Sequence, residues 1–328
     1  MSTRRAIKFL VSAMPLVIVA SLLYAALFIK PKPLGASVAK PIFERGDSFY
    51  GITIPSAKTL WAAGTNGKVV RSDDAGKSWT LQKTPTHVTL QDIAAWDAQN
   101  GVAVGNDGVV ITTRDGGKSW ATVSAPRSTI ANKLVRVKTL PDGDAWAVGE
   151  GGVVLHSSDS AATWSLAVKE EDAAWNDIFF LDHQGWLVGE FGRIRASKDN
   201  GASWQAVNSP VKVSLMAVAF RDKSNGVAVG LAGAVLATHD GGERWQVQKA
   251  PTVEHLFDVT WDGEKWMAVG DNGVVLTAGA PATDWKPAQS TSQGRGWHTR
   301  IRHEDGKDYL AGTALTLLEN GDLKTLSR

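Results

Sequence analysis

There is no cysteine among the 328 residues. This excludes a disulfide framework, a thiolate metal site, a cysteine nucleophile and a cysteine-linked lipid anchor. It is compatible with an oxidising compartment, where a stray thiol is a hazard. Net charge is also nearly absent: 35 Lys and Arg against 33 Asp and Glu leave +2. A nucleic-acid binder would carry a basic excess or stripe, so no nucleic-acid partner is expected. Tyrosine is scarce, at 3 residues, whereas Trp reaches 14 and Gly 33. So much tryptophan points to one residue type used repeatedly at one structural position. Walker loops and dinucleotide fingerprints are missing, and the 7 histidines are scattered without ligand spacing, so neither cofactor nor metal is expected. What remains, 43% hydrophobic residues, is enough to bury a real core.

One long apolar run stands out, the 21 residues 9–29, which hold no charge. As a helix it would span roughly 31 Å, about the thickness of a hydrocarbon core. Arg4, Arg5 and Lys8 precede it, which places the N-terminus in the cytoplasm by the positive-inside rule. A cleaved signal peptide would have a shorter apolar region with a small-residue site soon after it; the one candidate, Ser37-Val38-Ala39, lies far downstream. The expected organisation is a cytoplasmic N-terminus and transmembrane anchor over 1–30, a short proline-stiffened linker over 31–44, and a single soluble unit over 45–328.

That unit is a repeat. A tetrapeptide ending in glycine recurs at Gly64, Gly105, Gly149, Gly189, Gly230, Gly270 and Gly312, at spacings of 41, 44, 40, 41, 40 and 42. In six of the seven copies a second glycine follows 3 residues later and a tryptophan 15 residues later. Blade two shows the pattern: a strand around Asp92–Ala95, a strand over 101–104, a tight Gly105-Asn106-Asp107-Gly108 turn with glycines available for positive φ, a strand over 109–112, and a fourth from Trp120. Four-stranded units of this length, repeated, are propeller blades. The fold expected is all-β, a seven-bladed β-propeller preceded by one N-terminal transmembrane helix.

The turn between the third and fourth strands carries the pattern Ser/Thr-x-Asp-x-Gly-x-Ser/Thr-Trp, an Asp-box or bacterial neuraminidase repeat. It is marked by Asp74 and Trp79, Asp115 and Trp120, Asp159 and Trp164, Asp199 and Trp204, and Asp240 and Trp245; the sixth unit keeps only Trp285. The carboxylate accepts backbone N–H groups of its own turn, and the Trp covers the turn. The box therefore reads as a structural staple rather than a site.

The innermost strand offers candidate chemistry. One position is Ile or Val in every unit, and the residue before it reads Gly51, Asp92, Arg136, Asp177, Ala217, Asp258, Arg300 around the ring. Alternation along a strand puts these residues on the channel side, at one mouth. Acid and base alternate there, and Lys138 and Arg302 add positive charge two residues further on. Two readings stand open: interblade ion pairs that plug the channel, or a polar recognition surface for a partner segment or small anion. The turns after the second strands add Asp107, Glu150, Glu190 and Asp271, a mild acidic rim.

A sialidase-like hydrolase needs an arginine cluster and a Tyr nucleophile with a Glu partner. Outside the apolar run only Tyr50 and Tyr309 exist, and Tyr309 sits in a core slot. A two-carboxylate mechanism would use Asp92, Asp177 or Asp258, whose arginine neighbours oppose the protonated form that a general acid needs. The expectation is no catalysis.

These units, for example Asn100-Gly101-Val102-Ala103-Val104-Gly105 and Asp115-Gly116-Gly117-Lys118-Ser119-Trp120, resemble the photosystem II stability/assembly factor family over about 45–328. The resemblance implies a non-enzymatic propeller that binds membrane-protein subunits during assembly through positive charge on one face, a part Arg136, Arg300, Arg302 and Lys138 are placed to play. Two departures are the missing lipid-anchor cysteine and the apolar segment in place of the usual targeting sequence. Relatives in non-photosynthetic bacteria accompany membrane transport systems, so a photosynthetic role is not carried over. The expected protein is a periplasmic propeller held at a bacterial inner membrane, a scaffold, assembly factor or accessory subunit, for instance of a transporter or exporter. Its partner is an integral membrane protein or complex. The alternative is a sialidase-like glycoside hydrolase or a glycan-binding module.

Overall fold

Strong β-formers bounded by glycine turns fold as the repeat predicts: each unit makes one four-stranded antiparallel sheet with its strands in chain order, and there are seven such sheets. The computed structural model describes residues 3–29, 41–128, 131–288, 296–319 and 321–327, with the side chains of the N-terminal helix described from residue 13 on. The chain divides into two compact units, Met1–Pro41 and Ile42–Arg328.

In the first unit, α1 runs over Thr3–Phe28 with Pro15 inside it. The expected transmembrane helix is not supported: among the described residues, no helix is long and apolar enough to cross a membrane. The side chains of α1 are described over 13–28. Its Leu16, Val17, Leu22, Leu23 and Phe28 are exposed. Residues 31–40 of the expected linker lie outside the described residues.

In the second unit, the innermost strands of blades 1 to 7 are Phe49–Ser56, Leu90–Ala95, Leu134–Thr139, Trp175–Leu181, Leu215–Phe220, Leu256–Trp261 and His298–Glu304. Each touches the next, and the last touches the first, so the ring closes. All four strands of every blade come from one repeat; closure therefore rests on packing, not on a shared sheet. The closing cluster joins Phe49, Ile52, Leu60 and Trp79 of blade 1 to Tyr309, Ala311 and Leu317 of blade 7. The Tyr309 hydroxyl donates to the carbonyl of Ala75 at 3.3 Å. Ile42 and Phe43 pack against the same cluster, with Phe43 edge-on to Trp79 at 6.2 Å.

The core lies between blades, not within them. The Ile/Val ring (Ile52, Ile93, Val137, Ile178, Val218, Val259, Ile301) is buried throughout. A second set of tryptophans, at the start of the second strands, reaches across to the next blade: Trp61 meets the Asp-box Trp120 edge-on at 5.9 Å, and Trp146 meets Trp204 at 6.3 Å. A Cβ on Gly201, in the blade-4 Asp-box, would lie 2.5 Å from the Trp146 ring, so that box glycine is also a docking slot for its neighbour's indole.

The two glycines of the turn after the second strand have different causes. In blade 2, Gly105 is extended at φ −167, and a Cβ there would sit 2.2 Å from the Thr89 carbonyl oxygen. Close backbone approach, not positive φ, requires it. Gly108 does have φ +64, and so supplies the left-handed conformation expected.

Candidate interaction site at the channel

The Asp-boxes are staples, as their residues imply. In blade 2, Asp115 Oδ1 accepts the Ser119 N–H at 2.9 Å and Oδ2 accepts its hydroxyl at 2.6 Å. The Thr113 hydroxyl donates to Asp115 at 2.9 Å and accepts the Gly117 N–H at 2.8 Å. The same geometry holds Asp74, Asp159 and Asp199; Arg244 Nε replaces the hydroxyl on Asp240 at 2.8 Å. These donors, led by the side chain of Ser78, Ser119 or Thr163, pull Asp74, Asp115 and Asp159 down to about 2. Trp79, Trp120, Trp164 and Trp245 are buried, with Trp204 partly so. In the sixth blade the indole of Trp285 donates to Ala282 at 2.8 Å instead.

The acid–base ring is brought together, but inside the channel rather than at its mouth. Asp92 and Arg136 are 0% exposed, Asp177 1%, Asp258 2% and Arg300 6%. Arg136 of blade 3 pairs with Asp177 of blade 4 at 2.7 Å and reaches Asp258 of blade 6 at 3.4 Å. Arg300 of blade 7 crosses to Asp92 of blade 2 at 3.1 Å and donates to the Val135 carbonyl of blade 3 at 2.9 Å. Arg302 pairs with Asp258 at 3.0 Å.

Each aspartate also clips two blades. Asp92 accepts the Val137 N–H at 3.1 Å, Asp177 the Val218 N–H at 3.0 Å, and Asp258 the Ile301 N–H at 2.9 Å. Every second blade thus hands a carboxylate to the Ile/Val position of the next. Blade 1 has Gly51 here because a Cβ would come within 2.7 Å of the Asp92 Cα.

Burial opposes these charges, and the partners outweigh it. Asp258 is held at about 2, burial being overcome by Arg136, Arg302, Arg300 and Lys138. Arg136 is raised above the ordinary arginine value despite burial, by Asp177, Asp258 and Asp92. Arg300 is lowered by burial and by Arg136. Lys138 keeps some exposed surface but is walled in by the channel; burial pulls it down to about 8, offset only in part by Asp177. Of the two readings of this ring, the geometry is that of a plug: its groups are buried and serve one another. Asp258 is the opposite of a general acid, and both oxygens of Asp92 and Asp177 are engaged by guanidinium and backbone donors.

The mouth is formed instead by the residues one position earlier: Tyr50, Gln91, Val135, Asn176, Met216, Phe257 and Thr299, one from every blade, line a depression of about 320 Å3 together with Lys133, Glu150, Glu190 and, from the ring beneath, Arg300. The cause is a register shift at the start of the innermost strand, seen for instance between Leu90 and Asp92. Such a bulge inserts an extra residue and re-aims a side chain. The recurring glycine opposite, Gly105 paired with Leu90, is the signal from which it could have been read. The depression is balanced in charge, Lys133 and Arg300 sharing it with Glu150 and Glu190; Glu190 accepts the Ala174 N–H at 2.9 Å. Among the described residues no cluster of His, Asp and Glu is grouped to hold a metal.

Fold and channel together define a closed Asp-box propeller whose axis is filled by its own ion pairs. The family described as "Photosynthesis system II assembly factor YCF48" matches residues 77–171 and 200–308, more than half of the chain. The chain belongs to that family. Solved structures similar to it include YCF48 with a bound D1 peptide (15% identity, TM-score 0.68, covering 81% of this chain and 91% of that one). YCF48 from Cyanidioschyzon merolae is 14% identical with a TM-score of 0.69, over 87% and 98% of the two chains. A GH74 xyloglucanase from Xanthomonas campestris is 13% identical with a TM-score of 0.72, covering 88% of this chain but 56% of the enzyme. At these identities the structures share the fold. A search of curated proteins gives no match.

Proposed function

We propose that this protein is a non-catalytic assembly or scaffold factor that binds a segment of a membrane-protein partner at the channel-mouth face. Membership of the YCF48 family carries this reading, and a YCF48 structure holding a D1 peptide supports a protein segment as ligand. The plugged channel leaves only a shallow mouth, which suits a peptide better than an enclosed substrate.

The apolar run over 9–29 and the exposed Leu16, Leu22 and Phe28 of α1 support membrane association. This would hold the propeller close to membrane partners and raise its effective concentration toward them. The orientation proposed, with the N-terminus in the cytoplasm and the propeller in the periplasm of a bacterial inner membrane, rests on Arg4, Arg5 and Lys8. A transporter or exporter is one such partner.

The test is capture of the full chain from native membranes in mild detergent. A polytopic membrane protein should co-purify in stoichiometric amount, and alkaline carbonate should leave the chain in the pellet. Release by carbonate refutes the tether; absence of any membrane-protein partner refutes the scaffold role. The GH74 neighbour motivates one other reading, a glycan hydrolase, which release of reducing sugar from xyloglucan by the purified chain would establish in its place.

A further inference from the structure

The turn after the second strand has a left-handed centre in six blades. That central residue is Asn66, Asp107, Gly151, Ala232 or Asn272 in five of them, with φ between 51 and 65. Four of the five are Asn, Asp or Gly, which tolerate this conformation, and Ala232 carries only a methyl group there. In blade 4 it is Phe191, at φ 59, with 66% of its surface exposed. A bulky ring here gains nothing from the core and bears backbone strain as well. Strain kept at an exposed position is a pointer to function.

Phe191 has apolar company. Its turn packs on the loop leading to blade 5, where a Cβ on Gly192 would meet the Val211 carbonyl at 2.1 Å, and that loop exposes Val213 at 39%. The next turn packs on the loop leading to blade 6, at Thr252 and Val253, and Val253 is 81% exposed. Met216 and Phe257, in the mouth depression, follow each loop. Charge is balanced at the depression, where Glu150 and Glu190 share the lining with Lys133 and Arg300; further out Glu254 and Asp271 stand against Lys212, a small acidic excess.

We propose that this arc over blades 4 to 6 is a docking surface for an extended protein segment. The segment would carry an apolar side chain seated on Phe191, with Lys or Arg on either side facing Glu150, Glu190, Glu254 and Asp271. The proposal deepens the binding function above and rests on it; it names the face and the chemistry of the partner. Apolar anchors and the outlying carboxylates of Glu254 and Asp271 select a basic, apolar segment over an acidic one.

The test uses the full chain and a fluorescein-labelled peptide with a central Leu-Phe flanked by lysines, alongside the same peptide with glutamates. Anisotropy should show binding of the lysine peptide, with the glutamate peptide at least about tenfold weaker. Phe191→Asn should weaken binding by about tenfold or more and at the same time raise Tm, because Asn takes this conformation in blades 1 and 6. Val253→Lys, at a site too exposed to disturb the fold, should also weaken binding. A fall in Tm for F191N would make Phe191 structural and overturn the proposal. Equal binding of both peptides, no effect of either variant, or loss of a dimer in F191N, which would make a second copy the occupant, also overturns it. If F191N and V253K still capture the membrane partner fully, this face is wrong while the scaffold role stands.

Discussion

Arg136→Met tests whether the axial ion pairs hold the ring together. Arg136 is fully buried and contacts three other blades: Asp177 in blade 4 at 2.7 Å, the Met216 carbonyl in blade 5 at 3.4 Å and Asp258 in blade 6 at 3.4 Å. Methionine keeps much of the volume and removes the charge, leaving Asp177 and Asp258 in the channel without their shared cation. Breaking a buried pair by deleting one partner costs about 3–5 kcal/mol, because the remaining charge is uncompensated. At about 2–4 °C per kcal/mol for a chain of this class, Tm should fall by roughly 6–20 °C. The assay is thermal unfolding at pH 7 followed by circular dichroism. Lys198→Met is the control: it breaks an exposed pair with Glu243 at 3.0 Å, worth less than about 1 kcal/mol. Adding Asp177→Asn to Arg136→Met should recover part of the loss, since it removes one of the stranded carboxylates. A Tm for Arg136→Met within about 2 °C of wild type, or no lower than that of Lys198→Met, would refute the plug.

Gly51→Ala should destabilise by about 1–3 kcal/mol, since its Cβ would meet the Asp92 backbone at 2.7 Å, whereas Gly46→Ala, with nothing within 4 Å but φ +95, tests backbone strain alone; urea titration separates the two. Asp115 titrates at about 2 in the folded chain, below the model-peptide value of 3.8. A depressed carboxylate stabilises above the unfolded value and loses that contribution as pH falls through the folded one. Asp115→Asn should therefore lower Tm at pH 7, with the difference from wild type shrinking between pH 4 and pH 2; a difference that stays constant would contradict the staple. Lys138 titrates at about 8, against 10.5 for an ordinary lysine. The unfolded chain then binds more protons between those values, so its penalty fades as pH rises. Lys138→Met should raise Tm at pH 7 and converge on wild type above about pH 10, a trend read from paired melts across the alkaline range.

Fixed offsets made the blades legible in the sequence. A glycine every 40 to 44 residues, with Trp 15 later, has one economical explanation, and the sheets follow it strand for strand. The Asp-box was equally plain because its hydrogen bonds are local. What the sequence concealed is non-local. Alternation along the strand placed Asp92 at the mouth; the bulge between Leu90 and Asp92 brings Gln91 there instead, with Asp92 buried. Nothing adjacent to Trp61 in the chain announces Trp120, 59 positions away, as the ring it meets. Blade 3 reaching blade 6 through Arg136 was beyond any argument from neighbours, because it depends on the channel being narrow enough for one guanidinium to cross. The apolar run over 9–29 is a different case: hydropathy argues for a span, whereas among the described residues no helix is long and apolar enough to cross a membrane.

The plug bears on where binding occurs. If the alternating acids and arginines had lined an open mouth, charge reversal at Arg136 or Arg300 would have been a clean probe of partner capture. Buried as they are, such changes act first on stability, and weakened capture would report an opened ring rather than a lost contact. The groups free to meet a partner lie one layer out, at the register where the bulge turns Tyr50, Met216 and Phe257 toward solvent. Each blade supplies one residue at that register from the same backbone frame, so the mouth can change chemistry while the ion pairs beneath, of which Arg300 reaches the depression, stay in place. A propeller built this way separates its two tasks: the third residue of each innermost strand holds the ring, and the second, with the turns around it, recognises the partner. Exchanging second-layer residues should thus alter affinity at constant Tm, whereas exchanging third-layer residues should alter Tm at every affinity. Substituting Met216 and Arg136 singly, with melts and binding measured on the same preparations, tests that division directly.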